Sequence, residues 1–272
     1  MMRLNNPVLI REMRARVRGS KSFVVHLLFL TFFLLVFLPI YYFQLKSPAP
    51  WSSNDGIFLT LLFVLLGFVC VVSPAFSSGS ITGEREQKTL AFLLVAPLKP
   101  KTVVTGKMLS SFFFSALLLL TALPYLFLAY VVGGVDGLRF LLGYILILIS
   151  SLFFSAMALF FSSVSRRTAS ATAISYGCII ALVLGTLALE AYLGSRPPLP
   201  NGEPHPLSGA FYLNPFMGLV SLYLYKVEGI SNVQPYKSVP LPIWAVNMIL
   251  LSLLTLLFWW LTHRRYRKLE RI

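Results

Sequence analysis

Three features of the sequence predict an all-α integral membrane protein with six transmembrane helices: an apolar composition, six long apolar stretches and a one-sided distribution of basic residues. Of the 272 residues, 57% are hydrophobic and only 12% are charged. A soluble domain is about one quarter charged, so these few charges would not cover a water-facing surface of this size. A lipid-facing surface removes that requirement and favours the membrane class.

Six stretches are long and apolar enough to cross a bilayer as helices, which takes about 20 residues each. The first stretch follows a basic segment, as in a secretory signal, but it is too long for the apolar core of such a signal and no A-x-A-like cleavage site follows it. We therefore expect a single transmembrane domain over residues 1–272, with residues 1–22 before the first span, an outer loop over 194–240 and a tail over 263–272. The predicted spans are 23–43, 57–78, 109–132, 138–162, 169–193 and 241–262.

The basic residues predict the orientation of these spans. Eighteen of them flank one side: Arg3, Arg11, Arg14, Arg16, Arg18, Lys21, Arg85, Lys88, Lys99, Lys101, Lys107, Arg166, Arg167, Arg264, Arg265, Arg267, Lys268 and Arg271. The other side has five: Lys46, Arg139, Arg196, Lys226 and Lys237. Because cytoplasmic loops carry the excess of Lys and Arg, we expect both termini in the cytoplasm, which requires an even number of spans.

The net charge of +14 would suggest a nucleic-acid partner in a soluble protein. Here the basic residues lie beside apolar spans, so we expect them to meet membrane lipids and we expect no nucleic acid.

The segment 207–225 is apolar enough to be a seventh span. Asn214-Pro215 interrupts its middle, because proline lacks a backbone donor and disfavours helix at the residue before it. A seventh span would also place the basic C-terminus outside. The segment is therefore predicted to form short re-entrant or surface-lying helices at the outer side, before the last span.

The N-terminal segment predicts a basic amphipathic helix in the membrane interface. Asn6 can cap this helix, with Pro7 at its first position. An apolar stripe at helical spacing follows, flanked by basic residues. The stripe consists of Leu9, Ile10, Met13 and Val17, and its flanks are Arg11, Arg14, Arg16 and Arg18. The alternative is a solvated charged stub.

The loop between spans two and three has the most informative sequence, GEREQKTLAFLLVAPLKPKTVVTGK over 83–107. It begins with Glu84, Arg85 and Glu86, continues through the apolar residues of 90–95, and turns at Pro97 before Gly106-Lys107. We expect a short amphipathic helix over about 84–96, followed by a turn and the start of the next span. Charges at one end and an apolar face at the other suit docking against a protein partner.

This stretch resembles the signature of the membrane subunit of type-2 ATP-binding-cassette (ABC) exporters. Those permeases typically have E-R-E, T-L-E, L-L, a Pro-Leu turn and G-K in this loop. Here Ala91 replaces a common acidic residue and Lys88 replaces a common glycine. Two weaker likenesses extend the resemblance over nearly the whole chain. Asn6-Pro7 with Arg11-Glu12 resembles the family's interfacial elbow helix, and Asn214-Pro215-Phe216 resembles its outer-loop motif.

The resemblance implies a six-span permease without its own ATPase. Two permeases, identical or homologous, and two separate ABC ATPases would form the working exporter in a bacterial or archaeal inner membrane. ATP and Mg²⁺ would bind to the ATPases. The sequence agrees, because residues 83–89 lack the second glycine of a phosphate loop, the motif that binds nucleotide phosphates. The residues implied to couple to the ATPase are Glu84, Arg85, Glu86, Thr89, Leu90 and Leu93, with Arg11, Glu12 and Arg14 on the elbow helix.

The sequence does not favour an enzyme. Its three histidines, His26, His205 and His263, are far apart along the predicted topology and cluster with no Cys or carboxylate, so we expect no metal site and no catalytic residues. Polar residues inside spans are functional candidates by default. Glu190 either anchors the outer interface or lines a translocation path. Asn247 either bonds a neighbouring helix or lines that path, and His26 faces headgroups or the path.

The near absence of ionisable groups at mid-span disfavours a proton-coupled transporter. Energy from a partner ATPase fits better, and an apolar or aromatic path suits an amphipathic or lipid-like substrate. Two alternatives remain open at this point. One is an ATP-independent secondary transporter or channel, and the other is a membrane assembly scaffold.

Overall fold

The computed structural model describes residues 6–17, 20–46, 55–95, 98–133, 136–195, 209–224 and 242–270, and every element within them is helical. The predicted outer loop therefore lies largely outside the described residues. A short 3-10 helix over Gly209–Leu213 precedes the eighth of the nine α-helices in these ranges. These helices are α1 Pro7–Val17, α2 Ser20–Lys46, α3 Asp55–Glu86, α4 Leu90–Val95, α5 Pro100–Gly133, α6 Gly137–Val164, α7 Thr168–Gly194, α8 Pro215–Leu224 and α9 Ile243–Glu270.

Six of these helices, namely α2, α3, α5, α6, α7 and α9, are long and apolar enough to cross a membrane. The predicted all-α fold with six spans is thus confirmed. Helix α6 lies at the centre, packed against α3, α5, α7 and α9. Helices α2 and α7 lie at the periphery and leave much of their apolar surface exposed to the surroundings.

Helix α3 continues beyond the predicted span end at 78 as far as Glu86, and α5 begins at Pro100 rather than near 109. Small polar residues support the extension of α3. Ser162 Oγ on α6 accepts from Ile81 N at 3.0 Å and from Thr82 N at 3.1 Å, and just before the extension Ser77 Oγ donates to Ser155 O at 2.6 Å. Such residues let two helices approach closely and bond to each other within a membrane protein. A polar composition therefore marked the end of the apolar stretch, but not the end of the helix.

The segment 207–225 forms two short helices within its described part, as predicted. Asn214 is buried between them, and its Oδ1 accepts from Phe216 N at 3.0 Å. Its Nδ2 donates to Val183 O at 3.1 Å and to Thr186 Oγ1 at 2.8 Å. Asn214 is thus the N-cap of α8, and Pro215 takes the first helical position, where its missing donor has no cost. The same dipeptide ends one helix and begins the next.

We call one end of the bundle the basic end. It consists of α1, the last turn of α3, α4, the first turns of α5, the α6–α7 turn and the last turns of α9. A second apolar cluster fills this end, separate from the main core, and brings together Val8, Ile81, Val103, Val104, Met108, Leu159 and Tyr266.

Candidate functional site

Helix α1 is fixed to α5 at the basic end by its own N-cap. Asn6 Oδ1 accepts from Val8 N at 3.1 Å and from Leu9 N at 3.4 Å, which confirms the predicted cap. The Asn6 amide also donates to Thr102 O at 2.8 Å. A Cβ at Gly106 would lie 3.0 Å from Val8 Cβ and 3.0 Å from the Asn6 amide nitrogen. Glycine at this position therefore allows α1 to approach the backbone of α5.

The buried face of α1 differs from the predicted stripe. Val8 and Leu9 are buried, whereas Ile10 is 42% exposed. Arg11 and Arg14 also lie on the exposed side. The helix is rotated because its inner face must also hold Glu12 against α5. Of the three predicted elbow residues, the structure thus brings only Glu12 into the site.

An ion cluster joins α1, α3 and α5, and its centre is Lys107. The Lys107 side chain is only 2% exposed. Its Nζ donates to Glu12 Oε1 at 2.9 Å, to Glu84 Oε1 at 2.8 Å and to Ser80 O at 2.8 Å. These three bonds use all the donors of an ammonium group. We call Lys107, Glu12, Glu84, Arg16 and Ser110 the Lys107 cluster.

Glu12 is the better satisfied of the two carboxylates in this cluster. Its Oε2 accepts a short hydrogen bond from Ser110 Oγ and lies 3.7 Å from Arg16 Nη2. Burial alone would raise the pKa of Glu12, but Lys107, Ser110 and Arg16 outweigh it and hold that pKa below its usual value. Glu84, by contrast, has a buried Oε2 with no partner among the described residues.

Arg16 connects the cluster to the backbone of α3. Its Nη2 donates to Phe76 O at 3.1 Å, and its guanidinium lies 6.0 Å from the centre of the Phe76 ring. Burial lowers the pKa of Arg16, and the neighbouring Glu12 opposes that shift. With Arg16 and Lys107 facing Glu12 and Glu84, the cluster has no net charge.

The other two residues of the E-R-E motif hold the α6–α7 turn. Arg85 Nη1 donates a short hydrogen bond to Ser165 O, just after α6. Glu86 Oε1 accepts from Thr168 N at 2.8 Å, and Glu86 Oε2 accepts from Thr168 Oγ1 at 2.9 Å. Thr168 is the first residue of α7, and the N-cap residue Arg167 supplies no side-chain cap. Glu86 on α3 therefore caps α7 from outside that helix.

The structure places the E-R-E motif differently from the expected loop helix over 84–96. Glu84, Arg85 and Glu86 form the last turn of α3, and their side chains make contacts within the chain. Acidic groups at a helix C-terminus oppose the helix dipole. Glu84 is compensated by the Lys107 ammonium and Glu86 by the N-terminus of α7. These residues therefore brace the bundle.

A tight turn after α3 sets the direction of the short helix α4. Lys88 N donates to Arg85 O at 3.1 Å, and Thr89 N donates to Glu84 O at 2.9 Å. These two bonds define a Schellman motif, whose C′ position, the first after the C-cap residue, favours glycine. Lys88 occupies that position with a φ of 58°. Lysine adopts this left-handed backbone position at some cost.

Helix α4 packs one face on the basic end and leaves another face outside. Leu90 and Leu93 are half-buried against the second apolar cluster, next to Leu98. Thr89 is exposed, and Val95 is 85% exposed. Among the six predicted coupling residues, Thr89, Leu90 and Leu93 thus belong to α4 and its turn.

The three polar residues predicted within spans lie apart from this site. Asn247 in α9 is buried, and its Nδ2 donates to Tyr212 O at 2.7 Å, a hydrogen bond to the neighbouring 3-10 helix. Glu190 lies near the end of α7, opposite the basic end, and is half-buried. His26 in α2 packs edge-on against Phe114, with ring centres 5.7 Å apart.

Sequence reasoning recorded Lys107 as one of many basic loop residues and overlooked its central position. Ser110 and Thr168 were also missed. One feature of the sequence could have indicated this site. Glu84 and Glu86 are acidic residues at the end of a helix, where each needs a cation or a helix N-terminus nearby. The G-K pair supplies the cation for Glu84, but its distance from α3 was invisible in sequence.

One comparison with known proteins assigns the chain to a family. In a comparison with curated proteins, no sequence matches the chain. A family model described as ABC-2 family transporter protein matches residues 7–271, from the start of α1 to the residue after α9. Since this match covers nearly the whole chain, the protein belongs to the ABC-2 family of transporter proteins.

Proposed function

We propose that the chain is the permease subunit of an ATP-driven exporter whose separate ATPase docks on α4 at the basic end. Membership of the ABC-2 family implies an ABC ATPase partner in general. The observation that carries the docking site is the exposure of Val95 at the end of α4, an apolar side chain that is 85% exposed. Exposed apolar side chains are a common feature of protein interfaces.

The basic end faces the cytoplasm in this proposal, where ATP is available. The one-sided distribution of Lys and Arg supports that orientation. Two ATPases and two permeases, identical or homologous, form the working unit, and the ATPases bind ATP and Mg²⁺. The membrane is then a bacterial or archaeal inner membrane.

The E-R-E motif and the Lys107 cluster transmit motion from α4 to the spans. Glu84 connects the base of α4 to α1 and α5 through Lys107, and Arg85 and Glu86 connect it to the α6–α7 turn. A force on α4 therefore acts on four other helices through charged hydrogen bonds instead of through a flexible loop. Packed elements with polar links of this kind move as units.

The scarcity of ionisable groups within the spans supports an amphipathic or lipid-like substrate, moved outward. Asn247 is engaged with Tyr212 O and serves packing. Glu190 remains the proposed polar contact along or beside the path, near the far end of α7.

The experiment is to test ATPase association with a charge placed on α4. Val95→Asp buries a carboxylate in the proposed interface and should weaken association at least tenfold in a pull-down of the tagged permease with its ATPase. Ala169→Asp is the control, since it adds the same charge to an exposed position at the start of α7. Both variants should insert into the membrane normally.

Equal association of both variants and the unaltered chain would reject α4 as the docking site. A broader failure is also measurable. If liposomes containing this chain alone transport the substrate along an ion gradient, and no ATPase co-purifies, the protein is a secondary transporter. If no transport occurs with or without an ATPase, a scaffold role is favoured.

A further inference from the structure

A basic cavity lies between the ends of α6 and α9, apart from the Lys107 cluster. Its volume is about 570 Å³ and it is open to the surroundings. Phe160 and Val164 on α6 and Leu261 on α9 form an apolar floor. Four cations line the remaining wall, all from the last turns of α9: Arg264, Arg265, Arg267 and Lys268.

The cations of this cavity are separated from the packed face of α9. Thr262, His263 and Tyr266 are buried toward the bundle, whereas all four cations are exposed. Like charges at i and i+4, such as Arg264 and Lys268, destabilise a helix. Among the side chains that the structure describes, no carboxylate forms an ion pair with any of the four. The cations that line the cavity therefore give it a positive wall.

An aromatic contact fixes the level and the orientation of one cation. The Arg264 guanidinium lies 3.6 Å from the centre of the Trp260 ring. Tryptophan near the end of a span is typical of the membrane–water interface. Arg264 lies one helical turn beyond Trp260, so the cations are at the height of the lipid headgroups. The apolar floor beside Leu261 is at the height of the upper acyl chains.

From this arrangement we propose that the cavity is a binding site for one anionic phospholipid. The headgroup phosphate is bound by Arg264, Arg265 and Lys268, and the upper part of an acyl chain lies along Phe160 and Val164. Basic pockets between transmembrane helices suit such headgroups. A free phosphate would satisfy the cations but leave the apolar floor exposed. The proposal does not depend on the ATPase or on the docking role of α4.

The test is native mass spectrometry of the full-length chain in a neutral detergent, titrated with dioctanoyl phosphatidylglycerol. Dioctanoyl phosphatidylcholine is the neutral-lipid arm, and inorganic phosphate is the competitor. We expect the anionic lipid to bind at least tenfold more tightly than the neutral lipid, with little competition from equimolar phosphate. Arg264→Gln with Lys268→Gln should weaken anionic-lipid binding by roughly 25-fold, about fivefold for each cation removed.

Arg166→Gln with Arg167→Gln is the matched control, because it removes two exposed cations from the α6–α7 turn at the same end. It should change binding less than twofold. A second variant, Val164→Asp, puts a carboxylate on the cavity floor and should also weaken binding of the anionic lipid. It provides the test if the variant with Arg264→Gln and Lys268→Gln does not fold.

Four results would overturn the proposal. Equal binding of the two lipids would show that the cavity does not select charge. Full competition by equimolar phosphate would assign it to a free anion. If the cavity variant and the control lose the same affinity, the effect is general surface charge. Loss of ATPase association by the cavity variant, with unchanged lipid binding, would instead assign the cations to protein docking.

Discussion

Replacing Lys107 by Met tests whether the ion cluster holds the basic end together. The substitution keeps the length of the side chain but removes three hydrogen bonds of 2.8 to 2.9 Å. It leaves the carboxylates of Glu12 and Glu84 without their shared cation. Removing one partner of a buried ion pair costs about 3–5 kcal/mol. Because the two carboxylates are 20% and 25% exposed, water compensates them in part, and we expect about 3 kcal/mol.

The assay is the free energy of unfolding of the purified chain, measured by titration with a denaturing detergent. Lys101→Met is the matched control, since Lys101 is exposed on the first turn of the same helix and should contribute less than about 0.5 kcal/mol. Adding Glu84→Gln to Lys107→Met should restore part of the loss, because one of the two unpaired charges is removed. A loss below about 1 kcal/mol for Lys107→Met would refute this reasoning.

Three smaller perturbations address the turn, the helix contact and the titration of the same region. Lys88→Gly should raise the free energy of unfolding by up to about 1 kcal/mol, because glycine adopts the left-handed backbone without strain. The larger conformational entropy of glycine in the unfolded chain offsets part of this gain. A decrease would contradict the assigned strain. Gly106→Leu should lower it by about 1–3 kcal/mol and speed amide exchange in α1, whereas unchanged exchange would reject close packing there. The lowered pKa of Glu12 stabilises the fold fully above the unfolded value of 4.5, and this contribution is lost as pH falls through the folded pKa. The unaltered chain should therefore lose more stability between pH 7 and pH 3 than Glu12→Gln does, and parallel pH profiles would argue against this assignment.

Hydropathy and local chemistry were sufficient to predict the six spans and the starts of two helices, α1 and α8. Six apolar stretches became six long helices, because a bilayer-spanning segment must satisfy its backbone internally. Asn6-Pro7 and Asn214-Pro215 both begin helices by the same physical rule, an asparagine cap followed by a proline without a needed donor. Such rules depend on neighbours along the chain and are visible in sequence.

Helix α3 extends beyond the span predicted for it for a tertiary reason. From 77 to 83 every residue except Ile81 is a serine, threonine or glycine, a composition that in an isolated helix would favour a loop. In the folded chain the Ser162 hydroxyl accepts from the backbone of Ile81 and Thr82, and Ser77 bonds to α6. The partners are about 80 residues away in sequence, so no local pattern indicates them.

The rotation of α1 has a similar cause. The spacing of Leu9, Ile10, Met13 and Val17 gave a plausible stripe, but burial is decided by what lies opposite the helix. Gly106 admits Val8, and Lys107 requires Glu12 on the inner face. A carboxylate on the buried face is unfavourable by hydropathy alone, and only its cation explains it.

These contacts change how the E-R-E and G-K motifs are best understood. Glu84 and Lys107 act as one unit, because each would be unfavourable where it lies without the other: Glu84 at a helix C-terminus and Lys107 in a buried position. Gly106 brings α1 close enough for Glu12 to complete that unit. Charge reversal at Glu84 or Glu86 would therefore disturb the bundle itself, and reduced ATPase association in such variants would not identify the docking surface. Substitutions on the exposed face of α4 separate the two effects, since Val95 has little packing to lose.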